Sequence, residues 1–279
     1  MLTVNDHFFY VDKTLNVFEK ILYLVLTLSS RGKFAQTQSN LSDRGLRAMH
    51  KLFSDTHELY APEPSFLCAL FDKLVKPVLL YGSEIWGFHK AADVERVHLL
   101  FCKIILHLKR NTANYFIYGE LGRYPLILDS KIQIIRYWLK TIIYKRNPLA
   151  YNVYQTMYNN CENGIATEGW TVSIKSLLFN LGLNFVWYNQ GVDNFKAFEY
   201  LFKQRLQDAD IVQWNNRISN SNDGILYKTY KIKPLYSEYI NIITKPSHRY
   251  YFLKFVTKNH NLPVVLGKWY QPKPYNERL

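Results

Sequence analysis

Cysteine is scarce in this sequence, and no hydrophobic run is long enough to cross a membrane. Three cysteines among 279 residues cannot form a disulfide framework, and their odd number favours a reducing compartment. The longest apolar stretch near the start, 21–28, is far shorter than the roughly 20 residues that span a bilayer. No small-residue cleavage site follows a basic flank there, so a signal peptide is not expected. These absences predict an intracellular protein, in the nucleus or the cytoplasm, without membrane contact.

The residue patterns that identify common catalytic and metal sites are also missing. The sequence has no Gly-rich phosphate loop with its Lys and Ser or Thr, no Gly-x-Ser-x-Gly motif and no Cys-x-x-Cys pair. His98 and Cys102 stand four residues apart, but no second pair of zinc ligands accompanies them, so we expect both to flank a buried stripe. Asp208 and Asp210 are two apart, a spacing that points side chains on a helix in different directions. We therefore predict no catalytic residue, no metal site and no cofactor in this chain.

Positive charge is in excess, and the excess is concentrated in two blocks. The chain has 35 Lys and Arg against 22 Asp and Glu, a net charge of +13. Residues 101–147 carry nine basic and two acidic side chains, and residues 228–279 carry ten and two. Residues 1–100 are balanced, and residues 148–227 are slightly acidic. Aromatic residues are interleaved with the cations of both blocks, as in surfaces on which bases stack. The pattern favours contact with a polyanion, and a basic face that is merely solvated is the alternative.

Two predicted amphipathic helices carry most of the first block. In 92–110, apolar residues recur at steps of three and four, which is the period of a helix with one buried face. These residues are Val94, Val97, Phe101, Ile104, Ile105 and Leu108, and the opposite face carries Arg96, Lys103, His107 and Arg110. In 126–146, the apolar stripe consists of Ile132, Ile135, Leu139, Ile142 and Ile143, and an adjacent face carries Gln133, Arg136, Lys140 and Tyr144. A Gly-containing link, 118–125, joins the two helices.

The whole pattern predicts a mainly α fold, built as one or more helical bundles, with a small β-hairpin or sheet at the N-terminus. The hairpin is expected around 21–29, where β-branched and aromatic residues precede a turn that contains Gly32. Further helices are expected at 170–181, 194–207, 209–220 and 247–259. The polar run 159–164 is the best candidate for a domain boundary. We expect three units, at 1–36, 37–158 and 165–279, the last with a basic, extended tail.

Several segments resemble the C-terminal part of the reverse transcriptases of non-LTR (LINE-type) retrotransposons. The most specific is 70–86, which contains Leu80-Tyr81-Gly82-Ser83-Glu84-Ile85-Trp86 and is similar to the hallmark of that family's helical thumb region. Residues 18–34 resemble the primer-grip hairpin that follows the catalytic palm, with Tyr23 and Leu24 in the Tyr-Leu-Gly position. Other similar segments lie at 97–103, 118–126, 170–175, 205–214, 227–231, 260–263 and 267–269.

The resemblance implies that the chain holds a template–primer by phosphate contacts without catalysing polymerisation. The family's Tyr-x-Asp-Asp motif supplies carboxylates for two magnesium ions, and this chain has no Asp-Asp pair, so Mg²⁺ is expected only in an intact polymerase. The expected partner is RNA, an RNA–DNA hybrid or both. The candidate nucleic-acid-binding residues are Arg96, Lys103, Lys109, Arg110, Arg123, Arg136, Lys140, Lys145 and Arg146.

Two alternatives belong to other classes. The chain is a helical protein–protein interaction module if exposed Tyr and Trp side chains of 170–220 form an apolar patch. It is an inert, decayed remnant of a retroelement if it does not fold cooperatively without a palm. Because Met1 falls in the middle of the family's domain, we expect a fragment or remnant of a larger polyprotein.

Overall fold

The computed structural model describes residues 8–10, 13–15, 18–30, 32–59, 62–145, 147–221, 225–257 and 274. The helices of these residues are α1 (Ala35–Asp55), α2 (Pro64–Leu74), α3 (Lys76–Leu79), α4 (Ser83–Trp86), α5 (Ala92–Ile105), α6 (Asn114–Leu121), α7 (Leu126–Tyr144), α8 (Pro148–Glu162), α9 (Trp170–Asn180), α10 (Asn184–Asn189), α11 (Phe195–Ser219), α12 (Ile225–Tyr230), α13 (Tyr239–Ile242) and α14 (Pro246–Val256). The strands are β1 (Phe8–Tyr10), β2 (Lys13–Leu15), β3 (Lys20–Tyr23) and β4 (Leu26–Ser29). The prediction of a mainly α fold with a small N-terminal β element is confirmed.

The four strands form two antiparallel hairpins. Strand β1 pairs with β2, and β3 pairs with β4 from Lys20 opposite Ser29 to Tyr23 opposite Leu26. The sharp turn of the second hairpin is made by Leu24, whose φ of 54° lies in the left-handed region, and its neighbour Val25. The Tyr-Leu pair of the predicted primer grip therefore lies at the end of β3 and in the turn, and Leu24 is not part of a strand.

The first core is formed mainly by apolar side chains of helices α1 to α6. On α5, the predicted stripe residues Val94, Val97 and Phe101 are fully buried, whereas Ile104 is 40% exposed. The Phe101 ring stacks on Phe71 of α2, with the ring centroids 4.3 Å apart. Pro77 lies where the helical stretch divides, because α2 ends at Leu74 and α3 begins at Lys76.

The second core joins α7, α8, α9, α10 and α11. Along α7, the predicted stripe residues Ile132, Ile135, Leu139 and Ile142 are buried, and Trp138 stacks on Trp187 of α10 at 5.9 Å. This core combines residues from both sides of 159–164, most of which is the last turn of α8. A division of the chain there does not separate the cores.

The C-terminal elements return to the first half of the chain. Tyr227 of α12 and Trp214 of α11 pack on α6, where a Cβ on Gly119 would lie 2.3 Å from the Tyr227 hydroxyl oxygen. Ile240 and Leu253, from α13 and α14, are buried in the first core. Apart from Pro274, the predicted extended tail lies outside the described residues.

Helix α11 is a single helix, although two shorter helices were predicted in its place. The predicted boundary between 194–207 and 209–220 falls in the polar run around Asp208 and Asp210, but the helix is continuous from Phe195 to Ser219. Leu206 before this run and Trp214 after it are both buried, so packing at both ends holds the polar turn in the helix. None of the described helices combines the length and the apolar content that a bilayer crossing requires.

Candidate nucleic-acid interface

The C-terminal end of α5 projects cations from a short, well-defined loop. Helix α5 ends because His107 adopts a left-handed conformation, with φ 53°, and the Leu108 N–H donates to the Lys103 carbonyl at 2.9 Å. The Lys103 ammonium donates to the Arg110 carbonyl at 2.7 Å, which ties the helix to the loop. The side chains of Lys109 and Arg110 are both exposed. The geometry of the loop therefore presents two cations to solvent.

Helix α14 packs against this loop. The ring of Tyr250 meets His107 edge to face, with centroids 6.3 Å apart, and the Lys254 ammonium lies 4.1 Å from the centroid of the Tyr250 ring. Arg249 is buried, and its guanidinium donates to the Ile240 carbonyl at 3.1 Å, which fixes α14 to α13. The two basic blocks of the sequence thus contact one another at this point.

We call this region the α5–α14 surface, and it combines exposed cations with aromatic rings. It consists of Lys103, His107, Lys109, Arg110, Tyr250, Tyr251 and Lys254. Tyr251 is 67% exposed and lies beside Tyr250, with ring centroids 5.4 Å apart. Cations and exposed aromatic rings side by side are what nucleic-acid backbones and bases contact in proteins.

The α5–α14 surface contains no carboxylate from its own two segments. The sequence has no Asp or Glu between Glu95 and Glu120, and none between Glu238 and Glu277. Partial burial and the nearby charge of Arg249 lower the pKa of His107, and burial lowers the pKa of Lys103. Both shifts disfavour the charged forms of these side chains, and only for His107 does a neighbouring positive charge contribute.

Arg123 has a different environment from the exposed cations with which it was grouped. Its Nε–H donates to His98 Nε2 at 2.8 Å, and its two terminal nitrogens donate to the Asp72 carboxylate at 2.6 and 3.2 Å. The side chain is only 11% exposed. The guanidinium is therefore occupied inside the protein, and the candidate interface does not include it.

His98 connects Arg123 to a second carboxylate, that of the partly buried Glu95. Because Nε2 accepts from Arg123, the ring carries a proton on Nδ1, which donates to Glu95 Oε1 at 2.8 Å. The Tyr118 hydroxyl donates to the same oxygen at 2.8 Å, and Glu95 Oε2 accepts from the Leu126 N–H at the start of α7. We call these five side chains, Asp72, Glu95, His98, Tyr118 and Arg123, the Arg123 network.

The Arg123 network shifts the pKa values of its members in ways that fit a structural role. Burial raises the pKa of Asp72, but the hydrogen bonds and the charge of Arg123 outweigh it and hold that pKa below its usual value. Burial, followed by the charge of Glu95, raises the pKa of the Tyr118 hydroxyl. The network connects α2, α5, α6 and α7, so the predicted link at 118–125 is one of the main packing sites of the fold.

Glu120, in the same segment, is a buried acceptor that the sequence reasoning missed. Its carboxylate accepts hydrogen bonds from the hydroxyls of Tyr227, at 2.7 Å, and Tyr239. Its backbone carbonyl accepts from the Ser237 N–H at 2.9 Å. The only local signal is its position between Gly119 and Gly122, whose missing Cβ atoms leave room for Tyr227 and for the Tyr236 backbone.

The predicted cations of α5 and α7 outside the α5–α14 surface lie in separate places. Arg96 is exposed and pairs with Asp93 at 2.9 Å, and Arg136 forms an ion pair with Glu199 of α11. Lys140 is exposed, and Lys145 lies 4.6 Å from the centroid of the Tyr151 ring. Arg146 lies outside the described residues.

Tyr23 and Leu24, the predicted primer-grip residues, are 63% and 69% exposed at the tip of the β3–β4 hairpin. They line a cavity of about 450 Å³ together with Pro77, Tyr81 and Gly82. The hairpin is held to this helical region through Leu26, because a Cβ on Gly82 would lie 2.5 Å from a Leu26 methyl group. The structure thus places both residues beside the 70–86 motif.

Within the residues that the structure describes, no three His, Cys, Asp or Glu side chains are grouped so that they could hold a metal ion. Both ring nitrogens of His98 are engaged by Glu95 and Arg123. Of the tryptophans considered for an apolar patch, Trp187 and Trp214 are buried, and their indole N–H groups donate to Glu162 and to the Tyr115 carbonyl.

Comparison of the chain with protein-family models, with curated proteins and with solved structures gives no match.

Proposed function

We propose that this chain binds RNA or an RNA–DNA hybrid through phosphate contacts at the α5–α14 surface. In this proposal it is a non-catalytic, nucleic-acid-binding part of a reverse transcriptase of the non-LTR retrotransposon type. One observation carries the proposal: two basic segments that lack carboxylates, separated by more than a hundred residues, contact one another through His107 and Tyr250.

The availability of the cations supports phosphate binding. In the part of the chain that the structure describes, no ion pair joins Lys109, Arg110 or Lys254 to a carboxylate. Arg123 and Arg136, by contrast, already hold Asp72 and Glu199. Cations that are not neutralised within the protein release counterions from nucleic acid when they bind, and this release drives sequence-independent affinity.

The test is a salt titration of binding to an RNA–DNA hybrid. The double variant Lys109→Glu/Arg110→Glu should lose at least about tenfold in affinity, and the slope of log K against log salt should fall by about 0.9 for each phosphate that the variant no longer neutralises. Arg205→Glu is the matched control, because it reverses the same charge on an exposed residue of the acidic stretch 148–227. If Lys109→Glu/Arg110→Glu keeps the wild-type affinity and slope, or loses no more than Arg205→Glu, the proposal is wrong.

A second candidate function is binding of a protein partner, and one observation favours it. Five apolar side chains of the β3–β4 hairpin region are more than half exposed, namely Phe18, Ile21, Leu22, Tyr23 and Leu24. Exposed apolar patches of this kind mark interaction sites in many proteins. The two functions are compatible, because the hairpin and the α5–α14 surface share no residues.

A further inference from the structure

A large groove lies away from the α5–α14 surface, between α4, α7, α8 and α9. Its volume is about 1270 Å³, and it opens to solvent beside Ile85, Tyr137 and Val153, each of which is 44% exposed or more. This volume exceeds the range of about 300–1,000 Å³ that is typical of small-molecule pockets. A groove of this size suits an extended polymer better than a single metabolite.

Two aromatic rings in the groove have fixed orientations. The Trp170 indole N–H donates to the Glu84 carbonyl at 2.8 Å, which ties the ring to α4. Tyr137 of α7 contacts Trp170 edge to face, with centroids 6.0 Å apart, and remains 44% exposed. Phe88 lines the same groove. Rings that are held in place and open on one side can receive a nucleobase without first being ordered.

Charged side chains of both signs line this groove, and further lysines lie close to lining residues in the sequence. Lys131 lines it directly, as do Glu84 and Glu168. Four more lysines are exposed and lie next to lining residues or within one helical turn of them. These are Lys33, Lys90, Lys140 and Lys145. Aromatic rings with exposed lysines nearby suit a strand whose bases are unpaired and whose phosphates face outward.

We infer that this groove binds a single-stranded stretch of nucleic acid, with a base stacked on Tyr137 and the backbone beside Lys140. The inference rests on the proposed function and adds to it a second binding site with a different ligand. Stacking needs the face of an unpaired base, which a duplex does not offer, whereas the α5–α14 surface contacts phosphates that single strands and duplexes both carry.

The test compares a labelled oligoadenylate of about 12 nucleotides with an RNA–DNA hybrid of the same length. Tyr137→Ala should weaken oligoadenylate binding about tenfold and leave hybrid binding within about twofold of wild type. Its salt slope should be unchanged, because the substitution removes a ring and no charge. Lys140→Ala should instead lower the oligoadenylate salt slope by about 0.7.

Two controls separate stacking from damage to the fold. Tyr137→Phe keeps the ring and should keep oligoadenylate affinity. Tyr200→Ala removes an equally large ring that is 74% exposed on α11 and does not line the groove, and it should change neither affinity. Thermal melting of each variant identifies any loss of folding.

The outcomes distinguish this inference from the function on which it rests. Wild-type binding to the hybrid but not to oligoadenylate overturns the inference and leaves the proposed function standing. Wild-type oligoadenylate affinity in Tyr137→Ala also overturns it, and that result is expected if the groove holds a protein segment instead. If the wild-type chain binds neither probe, both proposals fail.

Discussion

The Arg123 network and the α5–α14 surface draw their cations from the same basic stretch, 101–147, but they use them differently. Arg123 is 11% exposed and holds His98 and Asp72, whereas Arg110 is exposed and has no carboxylate partner among the described residues. A cation with protein partners stabilises the fold, and a cation without them is available to a ligand. Net charge along the sequence does not distinguish the two roles, because they depend on which side chains tertiary packing brings together.

The largest effect that this comparison predicts is on stability. Arg123→Met should lower the free energy of unfolding by about 3 kcal/mol, because it leaves Asp72 and the acceptor nitrogen of His98 without their guanidinium donor. Denaturant unfolding measures this loss. The matched control, Arg205→Met, changes an exposed residue and should remain within about 0.5 kcal/mol of wild type. Equal stability of the two variants would contradict the structural role of Arg123.

A smaller effect is expected in the response to acid. The pKa of Asp72 lies below its usual 3.8 in the folded protein, so its contribution to stability is present above pH 3.8 and is lost as the pH falls below that value. Asp72→Asn removes this contribution. The variant should be less stable than wild type at about pH 5, and the difference should narrow at about pH 3. A constant difference between the denaturant midpoints at the two pH values would show that the carboxylate is not stabilised as described.

The smallest effect on stability is expected for the exposed cations of the α5–α14 surface. Lys109→Ala/Arg110→Ala should change the free energy of unfolding by less than about 0.5 kcal/mol, because neither side chain forms an ion pair in the described structure. Hybrid affinity should nevertheless fall. Stability and hybrid affinity should be measured on one preparation of the variant. A large loss of stability would show that Lys109 and Arg110 have a structural role like that of Arg123.

Much of the fold could be predicted because it depends on local periodicity. The stripes of α5 and α7 are visible in the sequence, and both helices begin at the predicted residues, Ala92 and Leu126. Helix α11 was predicted as two helices. The burial of Leu206 and Trp214 holds the polar turn around Asp208 in one helix, and this burial depends on elements that are distant in the sequence.

The candidate site was only partly predictable, for a related reason. Lys109 and Arg110 were selected from the charge of the helix end and from the resemblance, and the structure leaves them exposed. Arg123 was grouped with them because its partners, Asp72 and His98, are 51 and 25 residues away in the sequence. Tyr250 and Lys254 were not selected, although the absence of carboxylates between Glu238 and Glu277 was a usable signal.

The central claim is that nucleic acid lies on the α5–α14 surface, and photo-crosslinking tests it most directly. An RNA–DNA hybrid that carries 4-thiouridine would be crosslinked to the full chain, and the attached peptides would be identified by mass spectrometry. The account predicts crosslinks in the segments that contain Lys109 with Arg110 and Tyr250 with Tyr251, all abolished by high salt. Crosslinks confined to other segments, or none at a hybrid concentration that saturates binding, would contradict it.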